Sequence, residues 1–280
     1  MANLKIVTDS SCTMDKNLRD ELEIHMVPLS VMIDGTIYQD DDNLSGEQFM
    51  NMMADAKELP KTSQPPIGEF VEFYNELGKD GSQILSIHMT KALSGTVEAA
   101  RQAANLSNSQ VTVIDSGMID QSLSFAVIRA AEMAQAGKGL EETVTEVNNL
   151  LSHSKLFIGL STLENLVKGG RIGRATGILS NILNIRVIME LTNNELIPVL
   201  KGRGVKTFNK WFEGLKKDLR NNPNIQKIGI SYAGGLEQCE KFKRELQELF
   251  PSMEIFLLHT TPIVATHTGS GAFAIMYYWE

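Results

Sequence analysis

Short apolar runs that end in hydroxyl-rich turns and alternate with helical patterns set the strongest constraint on the fold. LKIVTDSS opens the chain, QILSIHM (83–89) leads into TKALSGT, and QVTVID (110–115) leads into DSG. Helical periodicity falls near 95–106, 119–136 and 140–152. Such alternation predicts a mostly parallel sheet with helices packed over it. VMIDGTIY carries a hairpin signal at Asp34-Gly35, and Ser45 with Gln48 forms a capping box ahead of a helix.

After KLFIGL (155–160) the pattern changes. A short helix and a glycine-rich segment precede two strand-like runs flanking Asn193-Asn194, then helix, KIGISY, helix and EIFLLH. The expected architecture is α/β with two domains: residues 1–153 around a mostly parallel sheet, and residues 154–280 as a smaller α+β unit.

A chain of 280 residues with 42% apolar content can build substantial cores. No run approaches the roughly 18 apolar residues that span a bilayer, and MANLKIVTDSS lacks the apolar core of a signal peptide. The expected location is the cytoplasm, with no transmembrane segment. Cys12 and Cys239 are read as isolated thiols, too few for a disulfide framework or a cysteine zinc site. The net charge of −8 argues against nucleic acid as a partner. That average hides a division: residues 1–150 carry −13 and residues 151–280 carry +5. Two differently solvated domains, or a second half that faces an anionic group, would each produce it.

Ligands of open α/β sheets bind outside the carboxyl ends of the strands, so the three hydroxyl-rich turns mark one rim. Ordinary helix capping accounts for any single turn. Three on one edge, joined by the polar knot Lys61, Thr62, Ser63 and Gln64, point to a site. In KTSQPPIGEFV a proline suits the first helical turn, so a helix is expected to start there and to offer free backbone N–H groups to an anion.

THTGSGAF (266–273) opens a G-x-G-x-x-A spacing at Gly269, Gly271 and Ala274. The chain then ends without the helix, strand and acidic residue of a dinucleotide fingerprint. What remains is His267, between Thr266 and Thr268, expected on a flexible glycine turn. GGRIGRATG (169–177) lacks the Gly-Lys-Ser/Thr ending of a P-loop and is read as a helix cap with a surface loop, or as a basic anion-contacting loop. No G-x-S-x-G, no H-E-x-x-H and no close pair among His25, His88, His153, His259 and His267 is present. No metal or cofactor is implied. The residues describe a hydroxyl-plus-histidine pocket for a small anionic group. The rival is an enzyme acting on a small phosphorylated or carboxylated metabolite through Asp9, Ser10 and His267.

TDSS, TSQP, LSGT, GGRI and THTGSGA, in that order over nearly the whole chain, resemble the DegV family, the fatty-acid-binding subunits of bacterial fatty acid kinase. The resemblance implies a lipid-binding protein whose long-chain fatty acid lies in a buried tunnel between two α/β domains. Carried over by motif, the carboxylate ligands would be Thr62, Ser94 and His267, with Ser63, Gly95, Thr96 and Thr268 as pocket neighbours. It further implies that a separate ATP-dependent kinase subunit performs the phosphorylation, and that the acyl phosphate passes to an acyltransferase of phospholipid synthesis. The missing P-loop and metal site agree with that division. Arg171, Arg174, Arg203 and Lys206 would then form a partner-docking face.

Overall fold

The computed structural model describes residues 4–174, 185–222 and 224–280. The first half runs β1 (Leu4–Asp9), α1 (Lys16–Glu21), β2 (His25–Val27), β3 (Ser30–Ile33), β4 (Thr36–Gln39), α2 (Gly46–Asp55) and β5 (Lys61–Ser63). It continues with α3 (Ile67–Gly78), β6 (Gln83–His88), α4 (Thr96–Leu106), β7 (Gln110–Asp115), α5 (Asp120–Gln135) and α6 (Leu140–Ser152). Strands β2, β1, β6 and β7 form a parallel sheet in that order. Its strands are apolar on both faces because helices cover both. Ile84 joins Phe70, Tyr74 and Ala100 beneath α3 and α4, while the next residue, Leu85, joins Leu123 and Ala126 beneath α5.

A small antiparallel sheet, ordered β4, β3, β5, stands beside it. Asp34 and Gly35 both take positive φ at its hairpin, the geometry a two-residue turn needs to match strand twist. Ser45 accepts from the Gln48 N–H and the Gln48 side chain returns to Ser45, so the capping box forms. The polar knot behaves differently from the expectation of a helix start. Lys61–Ser63 is strand, paired to β3, and the helix begins at Ile67 with Pro66 at its N-cap. A residue before proline is pushed toward extended backbone, and Gln64 and Pro65 both precede one.

The second half contains β8 (Ser154–Leu160), α7 (Glu164–Lys168), a 3-10 turn (Arg171–Arg174), β9 (Arg186–Thr192), β10 (Glu195–Gly202) and α8 (Lys206–Arg220). Then follow β11 (Ile225–Ala233), α9 (Leu236–Leu249), β12 (Ile255–His259), α10 (Pro262–Thr268) and β13 (Ala272–Trp279). Its six-stranded sheet is ordered β10, β9, β8, β13, β11, β12 and is antiparallel except for β11 with β12. The closing run AFAIMYYW thus lies in the middle of the sheet. Alternation along it is strict: Phe273, Ile275 and Tyr277 pack beneath α8 and α9, whereas Ala272, Ala274 and Met276 face the core shared with the first half. α8 presents Phe208, Trp211, Phe212, Leu215 and Leu219 as one buried stripe. α5, buried around most of its circumference, lies between the two sheets. Among the described residues no helix is long and apolar enough to cross a membrane.

Candidate functional site

Ala272 and Ala274, small side chains on the inward face of β13, border open space between the two halves. Near the N-terminus of α5, between the two halves, lies a cavity of about 310 Å³. Its walls are apolar: Met89, Leu93 and Ile119 from the first half face Ile158, Leu196 and Ile263 from the second. A narrower space of about 20 Å³ shares Ile119, Ile158 and Val264 with it and runs on to Leu156, Phe273 and Ala274. The two spaces share wall residues and are lined largely by apolar side chains.

Polar groups gather at one rim. Thr62 pairs with Val31 across β5 and β3, so the strand's pleat turns it inward while Lys61 and Ser63 stay exposed. Its Oγ1 lies 2.9 Å from His267 Nε2, a contact spanning 205 residues of chain. Gln64 extends over Gly95, where a β-carbon would strike its Oε1 at 2.2 Å. Ser94 sits in the turn before α4, 2.8 Å from Thr96 Oγ1, and receives the Thr96 N–H at 3.3 Å. Arg171 enters the same rim, donating from Nε to the Leu93 carbonyl at 3.3 Å and from Nη1 to Gly169 at 2.6 Å. Burial and the nearby Arg171 guanidinium push the His267 pKa down to about 4, so its imidazole is neutral near pH 7. A half-buried arginine beside neutral donors favours an anion.

His267 lies in the last turn of α10 rather than on a glycine turn, because Thr261-Pro262 starts a helix that runs to Thr268. Asp40, 4% exposed, accepts from Ser10 Oγ at 3.0 Å and from the Ile263 N–H at the start of that helix. Burial pushes its pKa up to about 7, against the lowering effect of those hydrogen bonds. The TDSS turn therefore reaches the site indirectly: Ser10 holds Asp40, and Asp40 holds α10.

Asp9 takes another course. Its Oδ2 lies 3.0 Å from His88 Nδ1, His88 Nε2 lies 2.7 Å from Ser86 Oγ, and Ser86 Oγ lies 2.8 Å from the Tyr74 hydroxyl. This resembles a serine–histidine–aspartate relay, but all four side chains are fully buried and none lines the cavity. Burial would raise the Asp9 pKa, yet hydrogen bonds and the charge of His88 hold it below the ordinary range. Asp9 also accepts the Met89 N–H at 2.9 Å, which fixes the start of the TKALSGT turn.

Of the residues singled out in the sequence, Thr62, Ser63, Ser94, Gly95, His267 and Thr268 line the cavity, and so does Arg171. Thr96 stands behind Ser94 and reaches it by the hydroxyl contact. Thr268 turns its hydroxyl back to the Val264 carbonyl at 3.0 Å. Arg203 and Lys206 are exposed around the start of α8. The side chain of Arg174 and the end of the GGRIGRATG segment lie outside the described residues. Asp40 and Asn165 were not marked by any motif, whereas Gln64 stands in both the polar knot and TSQP. Asn165 Nδ2 donates to the Thr266 carbonyl at 2.9 Å, beside His267. The basic, glycine-rich GGRIGRATG segment, read as a surface loop or an anion-contacting loop, was the sequence signal for Arg171.

The model described as "Uncharacterised protein, DegV family" matches residues 3–280. A DegV domain-containing protein of Streptococcus pneumoniae is 51% identical over 276 residues, covering 99% of this chain and 98% of that protein. One from Lactococcus lactis is 51% identical over 278 residues, covering 99% of each. Among solved structures, DegV of Bacillus subtilis, titled a fatty acid binding protein, superposes with a TM-score of 0.92 at 28% identity, covering 100% of both chains. A DegV family protein of Thermus thermophilus, titled for fatty acid binding, gives 0.89 at 28% identity, covering 99% and 100%. The family match over residues 3–280, with relatives 51% identical over 99% of the chain, makes the chain a member of the DegV family.

Proposed function

We propose that the protein binds a long-chain fatty acid, with the acyl chain in the chamber and the carboxylate at Thr62, Ser94 and His267. The single observation that carries this reading is a largely apolar cavity whose lining also brings two hydroxyls, a neutral imidazole and Arg171 to it. A carboxylate taken from water needs hydrogen-bond donors or a counter-ion, and an acyl chain needs walls without polar atoms. The rim and the walls answer those two requirements separately. The fatty-acid-binding relatives from Bacillus subtilis and Thermus thermophilus support the same ligand class.

The reading extends to a division of labour in the cytoplasm. This chain holds the lipid, a separate ATP-dependent kinase subunit phosphorylates the carboxylate, and an acyltransferase of phospholipid synthesis takes the acyl phosphate. A carboxylate at the mouth rather than the depth of a chamber suits transfer to a partner. Arg203 and Lys206 offer exposed positive charge for docking, and Arg171 is the residue of that basic set whose loss would also weaken lipid binding. The metabolite-enzyme reading finds little support, since Asp9 is spent on buried hydrogen bonds and Ser10 on Asp40.

Solvent extraction and mass spectrometry of the purified protein test the reading directly. One fatty acid per chain is expected; a nucleotide or an empty chamber that takes up no added fatty acid overturns it. Arg203→Ala is expected to raise the kinase concentration needed for phosphorylation while lipid content stays constant.

A further inference from the structure

The sequence GGRI places a glycine directly behind the one histidine of the rim. Gly169 has ordinary helical backbone, φ −74° and ψ −6°, so no conformational demand explains a glycine there. Space does: a β-carbon at this position would lie 2.3 Å from His267 Nδ1 and 2.9 Å from the Asn165 carbonyl oxygen. In glycine that direction carries an α-hydrogen, which therefore points at Nδ1.

Nδ1 is buried and has no hydrogen-bond partner among the described residues, whereas Nε2 shares a contact with Thr62. A neutral imidazole carries one N–H. A proton on Nδ1 would meet the glycine hydrogen and find no acceptor, and a buried unsatisfied donor is strongly disfavoured. A lone pair on Nδ1 instead faces a weakly polarised C–H, a favourable contact. Two further bonds hold the seat in place. The Gly169 N–H donates to the Asn165 carbonyl at 2.8 Å, and the Gly169 carbonyl accepts from Arg171, whose guanidinium also reaches the carbonyl just before Ser94. Asn165 secures α10 from the same side through Thr266.

We propose that Gly169 is a positioning residue of the head-group site: its bare α-carbon seats the His267 ring and selects the tautomer protonated on Nε2, the nitrogen beside Thr62. The proposal rests on the fatty-acid reading above for its consequence, that His267 acts as a fixed hydrogen-bond donor to a carboxylate and not as a base. The asparagine and arginine keep the seat rigid. A donor aligned in advance loses less freedom on binding than one that must change tautomer.

Heteronuclear NMR of the histidine ring nitrogens, on the full chain with and without palmitate at neutral pH, reads the tautomer. His267 should show an unprotonated Nδ1 and a protonated Nε2 in both states; a protonated Nδ1 overturns the proposal whatever the variants do. Gly169→Ala, with circular dichroism to confirm folding, should bind palmitate about tenfold more weakly or worse, the loss expected when one charged hydrogen bond is misaligned, and its ring spectrum should change. Gly173→Ala, in the same segment with no neighbour at its β-position among the described residues, is the control and should match the wild type. A folded Gly169→Ala with wild-type affinity and an unchanged ring spectrum rejects the assignment. Absence of palmitate and oleate binding in the wild type would overturn the functional reading, while the tautomer result would stand or fall separately.

Discussion

Thr62, Ser94 and His267 come from a strand, a turn and a helix, and in the proposed function each would offer the carboxylate one hydrogen bond. Bonds to charged groups contribute about 1.5 to 3 kcal/mol, so Ser94→Ala should weaken fatty-acid binding roughly ten- to a hundred-fold in a protein that still folds. Titration calorimetry on Thr62→Ala, Ser94→Ala and His267→Ala checks this, and wild-type affinity in all three would remove the head group from this rim. His267 also leaves a mark on stability. Its folded pKa is about 4 against an ordinary value near 6.5, so between those values the unfolded chain binds the extra proton. Acidification through that window should therefore remove stability, on the order of 3 kcal/mol in all, and His267→Gln should abolish that component. Urea midpoints measured across the window in delipidated protein give the difference. A bound carboxylate should shrink it, because a nearby negative charge favours the imidazolium.

At the scale of elements, α10 carries the site and depends on Asp40 at its N-terminus. Here the sign is reversed. The folded carboxyl titrates near 7 and an unfolded one near 3.9, so the folded state holds the extra proton and stability falls as pH rises from about 4 to 7. Asp40→Asn keeps an acceptor for Ser10 or the Ile263 N–H and cannot ionise. Relative to wild type, its stability should rise steadily over that interval and level off above it, as thermal melts at successive pH values would show. A constant difference would mean that Asp40 is ionised throughout. Since the His267 and Asp40 slopes oppose each other, the wild type should look flatter with pH than either variant.

For the whole molecule, the chamber draws its walls from both halves, so a ligand inside it joins them. A ligand bound by the folded state alone stabilises it by RT ln(1 + [L]/Kd), about 2.7 kcal/mol when free ligand is a hundred times Kd. Delipidation should lower Tm by several degrees, and added palmitate should restore it. An unchanged melting temperature on removal and re-addition would argue against the chamber as the binding site. Lipid should not be the sole tie between the halves. Asp120, at φ 60°, accepts from Ser231 Oγ at 2.6 Å and Thr260 Oγ1 at 2.7 Å, binding α5 to the second sheet beside the chamber's narrow end.

The alternation of strand and helix was legible in the sequence because it is written at periods of two and 3.6 residues. QILSIHM, the Asp34-Gly35 turn and the Ser45 capping box needed only their neighbours. Local order likewise exposed the five motifs and, through them, Thr62, Ser94 and His267. What the local pattern could not fix was the direction in which each element faces. Lys61–Ser63 became strand because β3 offered an edge, and His267 joined a helix whose N-terminus is held by Asp40, more than 200 residues away in sequence. Arg171 stood in a segment that the sequence left open as a surface loop or an anion-contacting one, and it lines the chamber, hydrogen-bonded to the Leu93 and Gly169 carbonyls. Composition and periodicity determined which segments would fold and which faces would be apolar. Tertiary packing alone decided which polar groups meet, because Thr62 and His267 touch only when two sheets close around α5 and leave between them a space that β13's alanines do not fill.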